Sequence, residues 1–165
     1  MRFGSAPAYL ATPLGNNPSA EPLFLENNGF FPRIELRDFD TRHQVDASYS
    51  EERRLDLLQT AIRQTNRELN GKVCAWTQAG YTRLADVPQA FAGNCDDLVG
   101  EYRAAVYTCA LMNLNRVYRG TDTKEYAVPK ADTMETAAQH YEREYRRHLL
   151  ALLGSPGANL TAEVL

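Results

Sequence analysis

From Leu55 to Trp76 the side chains Leu55, Leu58, Ile62, Thr65, Leu69, Val73 and Trp76 recur at steps of three and four. That spacing lines one face of an α-helix and cannot line a face of a strand. A stripe this long forces the chain to find other helices to bury it against. Two more segments supply them. Leu98, Tyr102, Ala105, Val106, Cys109, Met112 and Val117 mark the most apolar segment, expected to be central, and Met134, Ala138, Tyr141, Tyr145, Leu149 and Leu152 mark a third stripe. No segment alternates in the manner of a strand, and no internal repeat or phosphate-binding glycine motif occurs.

End signals frame the three helices. Ser48 and Glu51 have capping-box spacing before the first, and Gly71, about 1 kcal/mol worse than alanine inside a helix, predicts a break or bend there. The first helix's other face is polar, with Glu52, Arg53, Arg63, Gln64 and Arg67. Asn94 is the expected cap of the second helix, with Asp97 near its positive end and Gly120 at its finish. A linker from Thr121 to Lys130, broken by Pro129, leads to a third helix expected to start at Asp132 or Thr133, with Glu135 completing a box and Gly154 terminating it.

The flanks read differently. Residues 1–29 carry Pro7, Pro13, Pro18 and Pro22 without an apolar period and are expected to form a flexible arm, its aromatic end at Phe24, Phe30 and Phe31 docking on the domain or a neighbour. Ile34 to Val45 predicts a short helix with Ile34, Phe39 and His43 inward. Beyond Gly154 a turn-rich hinge leads to the apolar Leu160, Val164 and Leu165. The expected fold class is all-α: a small bundle of three long helices plus a short N-terminal helix, with an arm at 1–29, a helical domain at 30–153 and a docking tail at 154–165.

With 165 residues and a formal net charge of -3, the chain suits a single core and has no global field for phosphate backbones. Cys74, Cys95 and Cys109 lack paired metal or redox spacing, and with no leader recognisable they are expected to be reduced thiols in the cytosol. No apolar run approaches the roughly 20 residues that cross a bilayer. His140, Glu144 and His148 form a ligand-like array, but four-residue steps place the outer histidines about 12 Å apart along the axis. A solvated face on which Glu142, Glu144, Arg146 and Arg147 exchange ion pairs is the expected reading, with no metal or cofactor. Nothing local pairs a cysteine with a histidine, and Asp96 and Asp97 are explained by a helix start, so no catalytic residue is assigned.

Between the first two helices lies Gly80-Tyr81-Thr82-Arg83-Leu84-Ala85-Asp86-Val87-Pro88. Tyr81, Leu84 and Val87, three residues apart, are expected to plug a tight corner into the core, with Arg83 and Asp86 outward. The phrase from Tyr81 to Pro88 resembles one in the head-completion proteins of temperate, contractile-tailed phages of the peduovirus type. Tyr118-Arg119-Gly120 with Asp122, Lys130-Ala131-Asp132-Thr133, and Phe30-Phe31-Pro32 after a variable arm extend the resemblance over roughly residues 30 to 165. Ser50-Glu51 departs from it, standing where the family is expected to have a proline.

The resemblance implies a structural virion protein that acts by assembling, in the manner of helical head-tail adaptors. It implies a ring, commonly of twelve copies, that sits beneath the portal, retains the packaged DNA and prepares the head for tail joining. The implied partners are the portal protein, further copies of the chain, and a tail-proximal neck or tail terminator protein. DNA would pass through or near the ring without sequence-specific binding, and no membrane is involved. The implied location is the virion's head-tail junction, and the host cytoplasm before assembly. Candidate interface residues are Tyr81, Arg83, Leu84, Asp86, Arg119, Leu160, Val164 and Leu165. A helical DNA-binding packaging or regulatory protein is the alternative, though the near-neutral third helix is a poor recognition helix. A small enzyme would need a convergent polar pocket that the sequence does not disclose.

Overall fold

The computed structural model of the chain describes residues 22–46, 48–88, 97–121 and 128–154, the side chains of 117–121 and 128–136 excepted. Three long helices dominate: α2 at Glu51–Gln78, α3 at Leu98–Thr121 and α4 at Val128–Leu153. Ahead of them come a two-stranded hairpin, β1 at Phe24–Leu25 and β2 at Ile34–Glu35, and a short helix, α1 at Leu36–His43. The all-α class holds.

The apolar α3 is the centre of the core, with Tyr102, Ala105, Val106, Cys109, Ala110 and Met112 all buried. α4 runs antiparallel to it, since Arg116 meets Glu142 toward one end and Glu101 meets His148 toward the other. α2 brings its stripe of Leu58, Ile62, Thr65, Leu69 and Trp76 to the same core. Burying one face of each helix against a largely buried middle helix satisfies the stripes together.

Several end signals act elsewhere than expected. Ser50, not Ser48, caps α2, its hydroxyl accepting from the Arg53 amide at 3.3 Å, because Ser50 is the residue directly before the helix while the Ser48 amide is held by Asp46 in the preceding turn. The helix runs unbroken past Gly71, which has open space around it, with buried Leu69 and Trp76 anchoring both sides. Asp97 caps α3 by accepting from the Gly100 amide at 2.8 Å, and the expected cap Asn94 lies outside the described residues. α4 begins at Val128, ahead of the expected Asp132. Pro129 falls in its first turn, where a missing N–H costs no helical bond, so the proline starts the helix instead of breaking a linker. Gly154, at φ 69, closes α4 as expected.

The hairpin was not foreseen, because two residues per strand are too few to show an alternation. Phe24 pairs with Glu35 and Leu25 with Ile34. Ile34 therefore belongs to a strand, and α1 begins only at Leu36. Of the residues expected to point inward, Ile34 and Phe39 are buried, whereas His43 keeps much of its surface exposed while its ring packs against Phe39 and Tyr107. At the hairpin's tip, Asn28 accepts from the amides of Phe30 and Phe31, and Gly29 adopts φ 87. The aromatic docking is real: Phe31 stacks on Tyr102 at 4.3 Å, Phe30 stacks on Trp76 at 5.9 Å, and the Arg33 guanidinium lies over Phe24.

Candidate functional site

The corner after α2 is built by its glycine. Gly80, at φ 96, lets the chain reverse so that the Gly80 amide reaches Thr77 O and the Tyr81 amide reaches Trp76 O, the paired bonds that close a helix on a left-handed residue. A single 3-10 turn follows at Leu84–Asp86. Leu84 is 1% exposed and Val87 is buried, while Tyr81 is half-buried against the core. The Leu84 amide donates to Phe30 O at 2.9 Å, so the corner is fastened to the tip of the hairpin. Tyr81-to-Pro88 and Phe30-Phe31-Pro32, two separate phrases in the sequence, are one structural joint.

Arg83 and Asp86 stand on the outside of this joint. Their contact is a two-pronged pair, Nε to Oδ2 and Nη2 to Oδ1, each 3.1 Å, and the Arg83 side chain is 69% exposed. Exposed pairs of this kind contribute little to folding, about 0–1 kcal/mol. Of the candidate interface residues, Leu84 belongs to the interior and offers no surface to a partner. Tyr81, Arg83 and Asp86 cluster at the corner. The Arg119 side chain and Leu160, Val164 and Leu165 lie outside the described structure.

On another side, α1 and the first half of α3 face the second half of α4 across a polar cleft of about 560 Å³. Arg42, His43, Arg103, Tyr107, Glu144 and His148 are among its lining residues. Burial alone would raise the Asp38 carboxyl, but hydrogen bonds from Arg42 at 2.6 Å and the Tyr107 hydroxyl at 2.8 Å outweigh it and hold it below the usual carboxylate value. Tyr107 is pushed upward by burial and by the Asp38 charge, so it stays a donor. His148 Nδ1 lies 2.6 Å from Glu101 Oε2, tying α4 to α3. The array expected to be a solvated face thus divides. Glu144 pairs with Arg147 and Glu142 with Arg146, whereas His148 turns into the helix interface. Its step of three from Tyr145 was the available sign. Among the described residues no group of three ligand-type side chains converges on a metal position. The Cys109 thiol is pushed up to about 12 by burial, the opposite of an activated nucleophile.

His43 predicts a pH dependence. One side of its ring packs against Phe39 and Tyr107, and the resulting partial desolvation, helped by the Arg42 charge and opposed by the Asp38 carboxylate, lowers its pKa from 6.5. The folded state therefore resists protonation. The sign follows: this contribution is intact above 6.5 and is lost as pH falls through the lowered folded value. Urea midpoints of His43→Gln and wild type should diverge above that window and converge below it. Parallel curves from about pH 8 to 5 would refute the assignment.

Likeness to known proteins decides the family. The model of the phage head completion protein (GPL) family matches residues 25–162. This chain belongs to that family. The match starts a few residues ahead of the expected boundary near 30 and takes in the hairpin from Leu25 onward. Over 159 residues the chain is 28% identical to the "Head completion/stabilization protein" of Escherichia phage P2, covering 93% of this chain and 88% of that one. No solved structure matches significantly. As a phage head completion protein the chain is a virion component, and among its described residues no helix is long and apolar enough to cross a membrane. Among its described surfaces, the corner is held by the left-handed Gly80 and by the Leu84 amide's bond to Phe30 O.

Proposed function

We propose that this head completion protein is a ring-forming adaptor at the head-tail junction, seated beneath the portal in about twelve copies. It retains packaged DNA and presents the surface on which a tail-proximal neck or terminator protein docks. The observation that carries this reading is the family match across the folded unit, joined to a corner whose apolar side is locked and whose charged side is free to meet a neighbour. Contacts that are weak singly suffice in a ring, because closure makes them cooperative.

In this proposal Arg83 and Asp86 define one edge of the subunit joint. Arg83→Glu should leave the thermal midpoint within a few degrees, since an exposed pair is worth about 1 kcal/mol or less. It should nevertheless reduce incorporation into filled heads by about tenfold, and Asp86→Arg in the same chain should restore part of it. Wild-type incorporation of the single variant would remove the corner from the joint.

The segment 155–165, outside the described residues, is proposed as the portal or neighbour docking tail. Deleting it should leave the melting curve unchanged and abolish joining to portal-containing heads. Electron microscopy and mass measurement of filled heads, with and without the protein, test the whole reading. A ring at one vertex is expected. Its absence, or steeply salt-dependent binding of the free protein to duplex DNA, would favour the DNA-binding alternative.

A further inference from the structure

Along α4 the residues Arg143, Arg146, Leu150 and Leu153 follow at steps of three, four and three. That is the a/d spacing of a helix seam packed on another helix. α4 already spends one stripe inside the bundle, through Ala138, Tyr145, Leu149 and Leu152. The second seam lies roughly a third of a turn around the axis. Leu150 is 41% and Leu153 37% exposed, and the Arg146 side chain is 72% exposed. Single surface leucines need no explanation, but two at seam spacing, in register with two arginines, form a continuous ridge.

The ridge is cationic at one end. Glu142 is shared between Arg146 at 2.7 Å and Arg116 of α3 at 2.8 Å, so one carboxylate serves two guanidinium groups. Arg143 has no hydrogen bond or ion pair among the described residues. The surplus positive charge sits beside the first half of the seam and the apolar pair forms the second half.

We propose that this seam receives an α-helix of a partner protein, with carboxylates opposite Arg143 and Arg146 and leucine-size apolar side chains opposite Leu150 and Leu153. The proposal deepens the adaptor reading and rests on it. A helix laid on a ridge uses both halves, whereas a nucleic acid would satisfy the arginines and leave the leucines against a hydrated backbone. Arginine suits the charged half because its fork meets a carboxylate in two-pronged fashion.

The full chain carrying p-benzoylphenylalanine in place of Leu150 is irradiated in assembled heads, and the adduct is mapped by mass spectrometry. One helical partner peptide is expected, with Asp or Glu one to two turns from the attachment point. Arg143→Glu with Arg146→Glu should lower adduct yield about tenfold or more. Lysine at both positions should keep it within about threefold, because charge survives while the fork is lost. Circular dichroism melts check that each variant is folded. If the double reversal fails to fold, Arg143→Glu alone, at a side chain with no internal partner, carries the test. An adduct on DNA, an adduct on a peptide without a nearby acid, or a yield insensitive to reversal overturns the proposal. Absence of the wild-type protein from purified particles defeats the adaptor reading and this one together. Its presence there without an adduct defeats the seam alone.

Discussion

Phe31→Ala is expected to lower the stability of the domain by about 3–5 kcal/mol, the range for emptying a well-packed aromatic site. Phe31 is 4% exposed, stacked on Tyr102 at 4.3 Å and edge-on to Phe30 at 5.4 Å. Its loss leaves a cavity that the flanking rings cannot fill, because Phe30 is already held face to face with Trp76. The damage should travel. The Leu84 amide donates to Phe30 O, so loosening the hairpin tip frees the corner, and amide exchange at Leu84 should accelerate in the variant. Urea unfolding measures the first effect and hydrogen exchange the second. A loss below about 1 kcal/mol would mean that the hairpin is not part of the cooperative core.

Asn66→Ala is expected to cost about 1–3 kcal/mol, although it removes only a partly buried amide. Asn27 donates to the Tyr102 hydroxyl at 2.8 Å, that hydroxyl donates to Asn66 at 2.6 Å, and Asn66 donates back to Asn27 at 2.8 Å. The three side chains form a closed ring of hydrogen bonds joining the hairpin, α2 and α3. In such a ring each bond polarises the next. Removing Asn66 leaves the Tyr102 hydroxyl, on a residue with no exposed surface, without its acceptor. Tyr102→Phe should cost a similar amount by breaking the same ring. The double variant should then cost less than the sum of the two, since the second change breaks bonds already lost. Strict additivity, to within about 0.3 kcal/mol, would show that the three groups act independently.

How far residues alone lead can be judged from these two sites. Phe30 and Phe31 stood out as aromatic residues that needed cover, and docking was the natural expectation. That the cover would be Trp76 and Tyr102 was not legible, because both partners are distant in sequence and any exposed helix face was eligible. Asn27 and Asn66 carried no signal at all. An asparagine in a flank and another on a helix look like ordinary surface residues until folding brings their amides to one hydroxyl. Leu84 shows the same limit from the other side. Its spacing with Tyr81 and Val87 already pointed it inward, with Arg83 and Asp86 outward, and the structure buries it so, but that its amide would be fastened to Phe30 O was not legible.

By itself the sequence determined the helices, their inward stripes, the all-α class and the family. Each follows from local information: spacing of three and four, a glycine at a helix end, a phrase of residues in order. Tertiary structure alone decided the antiparallel hairpin, the ring of Asn27, Asn66 and Tyr102, the turn of His148 toward Glu101, and the union of two family phrases at Phe30 and Leu84. Apart from the hairpin, whose strands are too short to show an alternation, those are meetings between residues far apart along the chain. They depend on which helix faces oppose each other once the core closes, and a periodic stripe says that a face must be buried without saying against what.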